Sequence, residues 1–194
     1  AIDFPPGIIV DPNSRLLGLN RVDFALVAEY PRHPITQQIQ SLSLFPQAQA
    51  IEYTGDDEIW EQRNFLRSGN TSWSETGSLE GEIFHGDNPD ELTGPLNIGI
   101  TLSRSHQQDD GSLFEQRVAV VGDADFLSNR YLGNGSNLEL GLNLINWLSH
   151  DDNLIAISPR PAPDTRLELS QTQQIVISLA FLLVIPLLLI GTGM

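Results

Sequence analysis

The run IVISLAFLLVIPLLLI, from Ile175 to Ile190, restricts what the last part of the chain can fold into. It carries no charge and a single serine. A helix rises about 1.5 Å per residue, so roughly 17 to 20 apolar residues are enough to cross a bilayer core. A core helix of that length normally keeps a polar face. Pro186 does not oppose a span, because proline is tolerated in membrane helices. The sequence therefore predicts a transmembrane helix over 175–194, in contact with membrane lipid. No Lys or Arg follows it, and the nearest basic residues ahead of it are Arg160 and Arg166. That sparse basic flank places residues 1–170 on the extracytoplasmic side of the membrane.

Charge narrows the partners. The net charge is −15, and all ten basic residues are Arg. Nucleic-acid backbone and anionic lipid both need a basic footprint, so neither is expected as a partner. Cysteine is absent, which removes disulfides and a thiolate nucleophile from this segment. The chain opens at Ala1 without a signal-peptide pattern and stops at Met194. It is expected to be a piece of a longer protein. The predicted organisation is an extracytoplasmic α/β domain over 1–158, a Pro-rich linker over 159–174 and the membrane helix over 175–194.

Within the domain, short apolar runs are separated by turn signals. GIIV (Gly7 to Val10) ends in Asp11-Pro12-Asn13. VDFALVAEY (Val22 to Tyr30) and AQAIEY (Ala48 to Tyr53) read as strands, with a short helix starting at Pro34 between them. LNIGITLS (Leu96 to Ser103) alternates with period 2. It faces RVAVV (Arg117 to Val121) across a polar turn at Asp110-Gly111, which predicts an antiparallel hairpin. RVAVV is also β-branched enough to predict a central, buried strand. NLELGLNLINWL (Asn137 to Leu148) carries Leu138, Leu142, Ile145 and Leu148 as a helical stripe, expected to pack on the sheet beside Trp147. Leu154 to Ile157 would add a last strand. Alternating strands and helices with apolar central strands predict an α/β fold, a mainly parallel sheet sandwiched by helices.

The best local constellation for chemistry is VVGDADFLSNRYL, Val120 to Leu132. A strand ends at Gly122, and Asp123 and Asp125 follow, with Ser128 and Asn129 available as a polar rim. Two carboxylates two residues apart could hold Mg²⁺, or one could act as a base. The structural reading, which the frequency of Asp caps favours, is that they cap the next turn or helix. His33, His85, His106 and His150 share no metal-ligand spacing and are expected at the surface or in loops. No G-x-S-x-G is present, and a chain without Lys has no phosphate-loop motif. No catalytic residue, metal site or cofactor is therefore expected.

The order IIVDPNSR, YPRHPIT, SGNTSWSE, GPLNIGITL and RVAVVGDADFLSN, ending in an apolar run, resembles the GldG family. These are auxiliary proteins of ABC transport systems, named from gliding motility and spread beyond gliding bacteria. The resemblance covers nearly the whole chain, as the C-terminal part of the family's extracytoplasmic region with its last membrane helix. It implies a non-enzymatic auxiliary subunit at the bacterial inner membrane, with ABC permease and ATPase subunits as partners. It transfers no catalytic residue. The alternatives are a membrane-anchored hydrolase with a carboxylate metal site at Asp123 and Asp125, and a sensor or adhesion ectodomain.

Overall fold

Every strand pairing among the described residues is antiparallel. The computed structural model describes residues 1–19, 21–55, 59–81, 83–107, 111–151 and 171–191. It contains β1 (Ile2–Asp3), β2 (Ile8–Val10), β3 (Phe24–Val27), β4 (Ser43–Pro46), β5 (Glu52–Tyr53), β6 (Glu61–Arg67), β7 (Trp73–Glu75), β8 (Asn97–Gln107) and β9 (Leu113–Val121). Helix α1 (Asn137–Leu148) follows. The strands form pairs β1–β5, β2–β7 and β3–β4, and a three-stranded sheet in the order β6–β8–β9. The chain divides into two compact units, Ala1–Pro159 and Arg160–Met194.

The expected mainly parallel, helix-sandwiched sheet is thus replaced by small antiparallel sheets. A parallel pair needs a crossover of a dozen residues or more, usually a helix. Among the described residues of the first unit, α1 is the one α-helix, and it comes after the last strand. The hairpin read from LNIGITLS and RVAVV is present as β8–β9, with Thr101 opposite Ala119. The same pairing corrects the place of RVAVV: β8 lies in the middle of its sheet, and β9 is an edge. Val118 is accordingly exposed, whereas Ile98 and Ile100 of β8 are buried. At 34–40 the chain makes a turn, with the Thr36 and Gln37 amides both bonded to the His33 carbonyl, in place of the expected short helix.

The expected membrane span is also corrected. Among the described residues no helix is long and apolar enough to cross a membrane. The second unit contains α2 (Gln171–Leu179), a π-helical stretch (Ala180–Val184) and α3 (Ile185–Gly191). Neither α-helix alone, nine residues in α2 and seven in α3, reaches across a bilayer core of about 30 Å, and a π-helical stretch stands between them. Pro186, which has no N–H for the carbonyl four residues back, stands directly after the point where the hydrogen-bond ladder widens. The expected strand at Leu154 to Ile157 and the linker up to residue 170 lie outside the described residues.

Alternation splits β3 between two cores. Ala25 and Val27 join a main cluster with Ile9, Ile35, Phe45, Phe65, Ile98, Phe126, Leu140 and Trp147. Phe24 and Leu26 point the other way and meet Leu44 and Tyr131. Helix α1 closes the main cluster, but with the face opposite to the one expected. Leu140, Leu144 and Trp147 are buried, together with Asn137, Gly141 and Asn143. Leu142, Ile145 and Leu148 are 40%, 56% and 40% exposed. Small and polar residues explain the inversion. Gly141 admits Leu127, whose Cδ2 lies 2.3 Å from where a Cβ would stand, and Asn143 donates from Nδ2 to the Ile35 carbonyl at 2.9 Å. Leu140→Ala should therefore destabilise by about 2 to 5 kcal/mol, and Leu142→Ala by about 1 kcal/mol or less. Denaturant midpoints of the two variants check this, and equal losses would show that the helix sits in another rotation.

Candidate functional site

The four residues singled out after β9 lie in one turn. Gly122 lets the chain pass against Gln49, whose amide donates to the Gly122 carbonyl at 2.9 Å. A Cβ at Gly122 would come within 2.1 Å of the Gln49 carbonyl oxygen, so the approach requires glycine. Asp123 then turns its Oδ1 to the Asp125 amide, at 2.7 Å. That bond starts a 3-10 turn over Asp125–Leu127, anchored by the buried Phe126 against Phe45. The Ser128 amide closes it on the Asp125 carbonyl, and the Ser128 carbonyl accepts from Tyr131 and Leu132. Asp125 and Asn129 are exposed, and Ser128 is half-buried. Asp123, and not Asp125, is thus the acceptor that organises the turn. Among the described residues no cluster of three or more His, Asp or Glu is placed to hold a metal ion.

Asp123 Oδ2 is buried without a hydrogen-bond partner among the described residues. Burial pushes its pKa from 3.8 up to about 6; the Asp125 amide opposes the rise and the Asp125 charge adds to it. A carboxyl raised in this way holds its proton longer in the folded chain than in the unfolded one. Stability therefore falls as pH climbs from 3.8 to about 6, and the penalty is complete above that. Asp123→Asn keeps the Oδ1 acceptor and removes the charge. It should melt above the wild-type protein at about pH 7, and the two curves should converge below the ordinary carboxyl range. A gain of equal size at both pH values would contradict this account.

A larger feature stands where three strands end. Asp11 follows β2, Ala28 to Pro31 follow β3, and Arg67 closes β6 ahead of Ser68, Gly69 and Asn70. Together they border a cleft of about 440 Å³, with Leu26 and Pro95 as apolar wall. Its volume lies within the range of small-molecule sites. Asp11 is 1% exposed. Its Oδ1 accepts from the Asn13 amide at 3.0 Å and so caps a 3-10 turn at Pro12–Leu17. Its Oδ2 has no hydrogen-bond partner among the described residues. Burial pushes the Asp11 pKa up, against smaller lowering effects from Asn13 and from the Leu26 amide, which stands outside hydrogen-bonding geometry.

The rest of the cleft is held firmly. Ser68 Oγ accepts from the Leu96 amide at 2.8 Å and from Ser72 Oγ at 2.6 Å. The Tyr30 hydroxyl donates to the Ser41 carbonyl and meets Ser43 Oγ at 2.8 Å. Burial raises its pKa to about 12, so it stays protonated. Arg67 is exposed, and its guanidinium has no hydrogen-bond or ion-pair partner among the described residues.

His33, expected at the surface or in a loop, lies outside the strands and helices but is buried, at 4% exposure, between Phe65 and Trp147. Its Nδ1 accepts from the Ile35 amide at 3.2 Å, which leaves the proton on Nε2 to donate to Thr101 Oγ1 at 2.9 Å. Burial, helped by the Arg63 and Arg117 charges, lowers its pKa to about 4. A neutral imidazole with both nitrogens satisfied is a structural pin between the 31–37 turn and β8.

Sequence reading treated Asp11-Pro12-Asn13 as a turn and gave Arg67 no role. The available signal was a strand, IIV, running straight into an acidic residue, and another, NFLR, running into Ser68-Gly69-Asn70. Nothing in either segment says that the two meet. Comparison of the chain with family models, with curated proteins and with solved structures finds no match.

Proposed function

We propose that the chain is a non-enzymatic auxiliary subunit of an ABC-type transport system, acting on the extracytoplasmic side of a bacterial inner membrane. The ordered motifs that resemble the GldG family support this reading, as does a charge of −15 that disfavours nucleic acid. The observation that carries it is the outer face of α1. Leu138, Leu142, Ile145 and Leu148 form one aliphatic stripe, each at least 40% exposed, on a helix whose other face is already filled. A contiguous exposed apolar stripe marks a protein–protein contact, and the permease is the partner proposed for it. ATP-driven work belongs to the ATPase, because a chain without Lys lacks the phosphate-loop motif.

Copurification of the full-length protein from native membranes tests the assignment. Permease and ATPase subunits are expected to come with it. Leu142→Asp with Ile145→Asp should abolish their recovery while moving the melting temperature by no more than about 2 °C, as expected for surface changes. Full recovery of the partners with the doubly substituted protein would remove α1 from the contact. Absence of both partners from the wild-type preparation would sink the proposal itself.

A further inference from the structure

We infer that the cleft between Asp11 and Arg67 binds a small zwitterion with an apolar body, such as an α-amino acid or a short peptide, the ammonium end at Asp11 and the carboxylate end at Arg67. The inference stands on the cleft alone and does not depend on the transporter assignment.

Three observations carry it. First, Asp11 Oδ2 is a buried carboxylate oxygen with nothing to accept from among the described residues. Leaving such a group unpaired is unfavourable, and a charged donor is the strongest available remedy. Second, Asp11 borders the cleft beside Gly69, which places no side chain over that oxygen. A Cβ built there would meet Asp11 Oδ2 at 3.4 Å and no other atom within 4 Å outside the adjoining chain. Third, Arg67 brings an uncompensated guanidinium to the same cleft, suited to bidentate hold of a carboxylate. Leu26, Pro95 and the ring of Tyr30, whose hydroxyl is already committed elsewhere, give the cleft an apolar wall, and Glu29 at its border adds a second carboxylate that also favours an ammonium. A cation alone would leave Arg67 facing solvent, and an anion alone would leave Asp11 unpaired.

Thermal shift and titration calorimetry with L-leucine and leucyl-leucine test the inference on the whole chain. N-acetyl-leucine, which lacks the ammonium, and leucinamide, which lacks the carboxylate, serve as controls. Either zwitterion at about 10 mM should raise the melting temperature, because a ligand that binds only the folded state stabilises it. The two blocked compounds should bind at least about tenfold more weakly. Arg67→Gln should weaken the zwitterion by a similar factor and leave the unliganded melting temperature unchanged. Asp11→Asn should do the same, but it also touches the cap of the Pro12–Leu17 turn. Gly69→Ala is therefore a second variant, since its φ is not left-handed and its new methyl group would pack 3.4 Å from Oδ2 and crowd that oxygen. No binding of either zwitterion overturns the inference. So does equal binding of the blocked compounds, or binding that Arg67→Gln and Gly69→Ala leave unaltered. Recovery of permease subunits in membrane preparations is unaffected by any of these outcomes, so this inference and the proposed function fail separately.

Discussion

Replacing Asn137 with Ala should lower the unfolding free energy by about 3 kcal/mol or more. The side chain is fully buried. Its Oδ1 accepts from the Leu44 amide at 3.0 Å, and its Nδ2 donates to the Leu44 carbonyl at 2.9 Å. The same Nδ2 also reaches the carbonyls of Tyr131 at 3.1 Å and Phe126 at 3.2 Å. The carboxamide thus pairs with β4 as a neighbouring strand would, on the edge that β3 does not use. Alanine leaves two buried backbone groups of Leu44 unpaired at once, at about 1 to 3 kcal/mol each. Asn137→Asp should be worse, since it turns the donor into a fourth acceptor beside the three carbonyl oxygens of Leu44, Tyr131 and Phe126. Urea denaturation measures both. A loss under about 1 kcal/mol for Asn137→Ala would mean that water enters and restores the bonds.

Phe45→Ala should remove about 3 to 5 kcal/mol. Phe45 has no exposed surface, and its ring centroid lies 5.0 Å from that of Phe126. It therefore fastens β4 to the turn built by Asp123, and truncation opens a cavity inside the main cluster. Phe84→Ala, at a ring 59% exposed, is the control and should change stability by about 0.5 kcal/mol or less. If both variants lost the same amount, the core would not be where Phe45 puts it.

Local pattern carried some of this and not the rest. The β8–β9 hairpin was legible because period-2 alternation and Asp110-Gly111 are both local signals. The start of α1 at Asn137 was legible too, but its orientation was not. Both faces of NLELGLNLINWL hold large apolar residues, and the more aliphatic stripe predicts the wrong face inward. The buried face instead uses Asn137 and Asn143 as hydrogen-bonding pins and Gly141 as a recess, roles that depend on Leu44, Ile35 and Leu127 elsewhere in the chain. Hydropathy cannot weigh such contacts. It also cannot give strand direction: β-branched apolar runs such as RVAVV fit a central parallel strand or an antiparallel edge equally well. The apolar run before Gly191 satisfied a composition test for a span, whereas the helical geometry around Pro186 depends on the backbone ladder. Asp123 and Asp125 could be read from their own segment as caps or as ligands, and the bond from the Asp125 amide to Asp123 is visible only in the structure. The Asp11 cleft was invisible because it is assembled from the ends of three strands that no local window contains.

The pairing of Asn137 with Leu44 also sets an order of events during synthesis. β3 and β4 leave the ribosome together, but the group that closes the outer edge of β4 is encoded 93 residues after Leu44. At about 5 to 20 residues per second, that edge waits roughly 5 to 20 seconds for its cover. An uncovered strand edge is a template for pairing with another chain. The nascent polypeptide is therefore most exposed to mispairing before α1 emerges. Any truncation ahead of residue 137 makes that interval permanent.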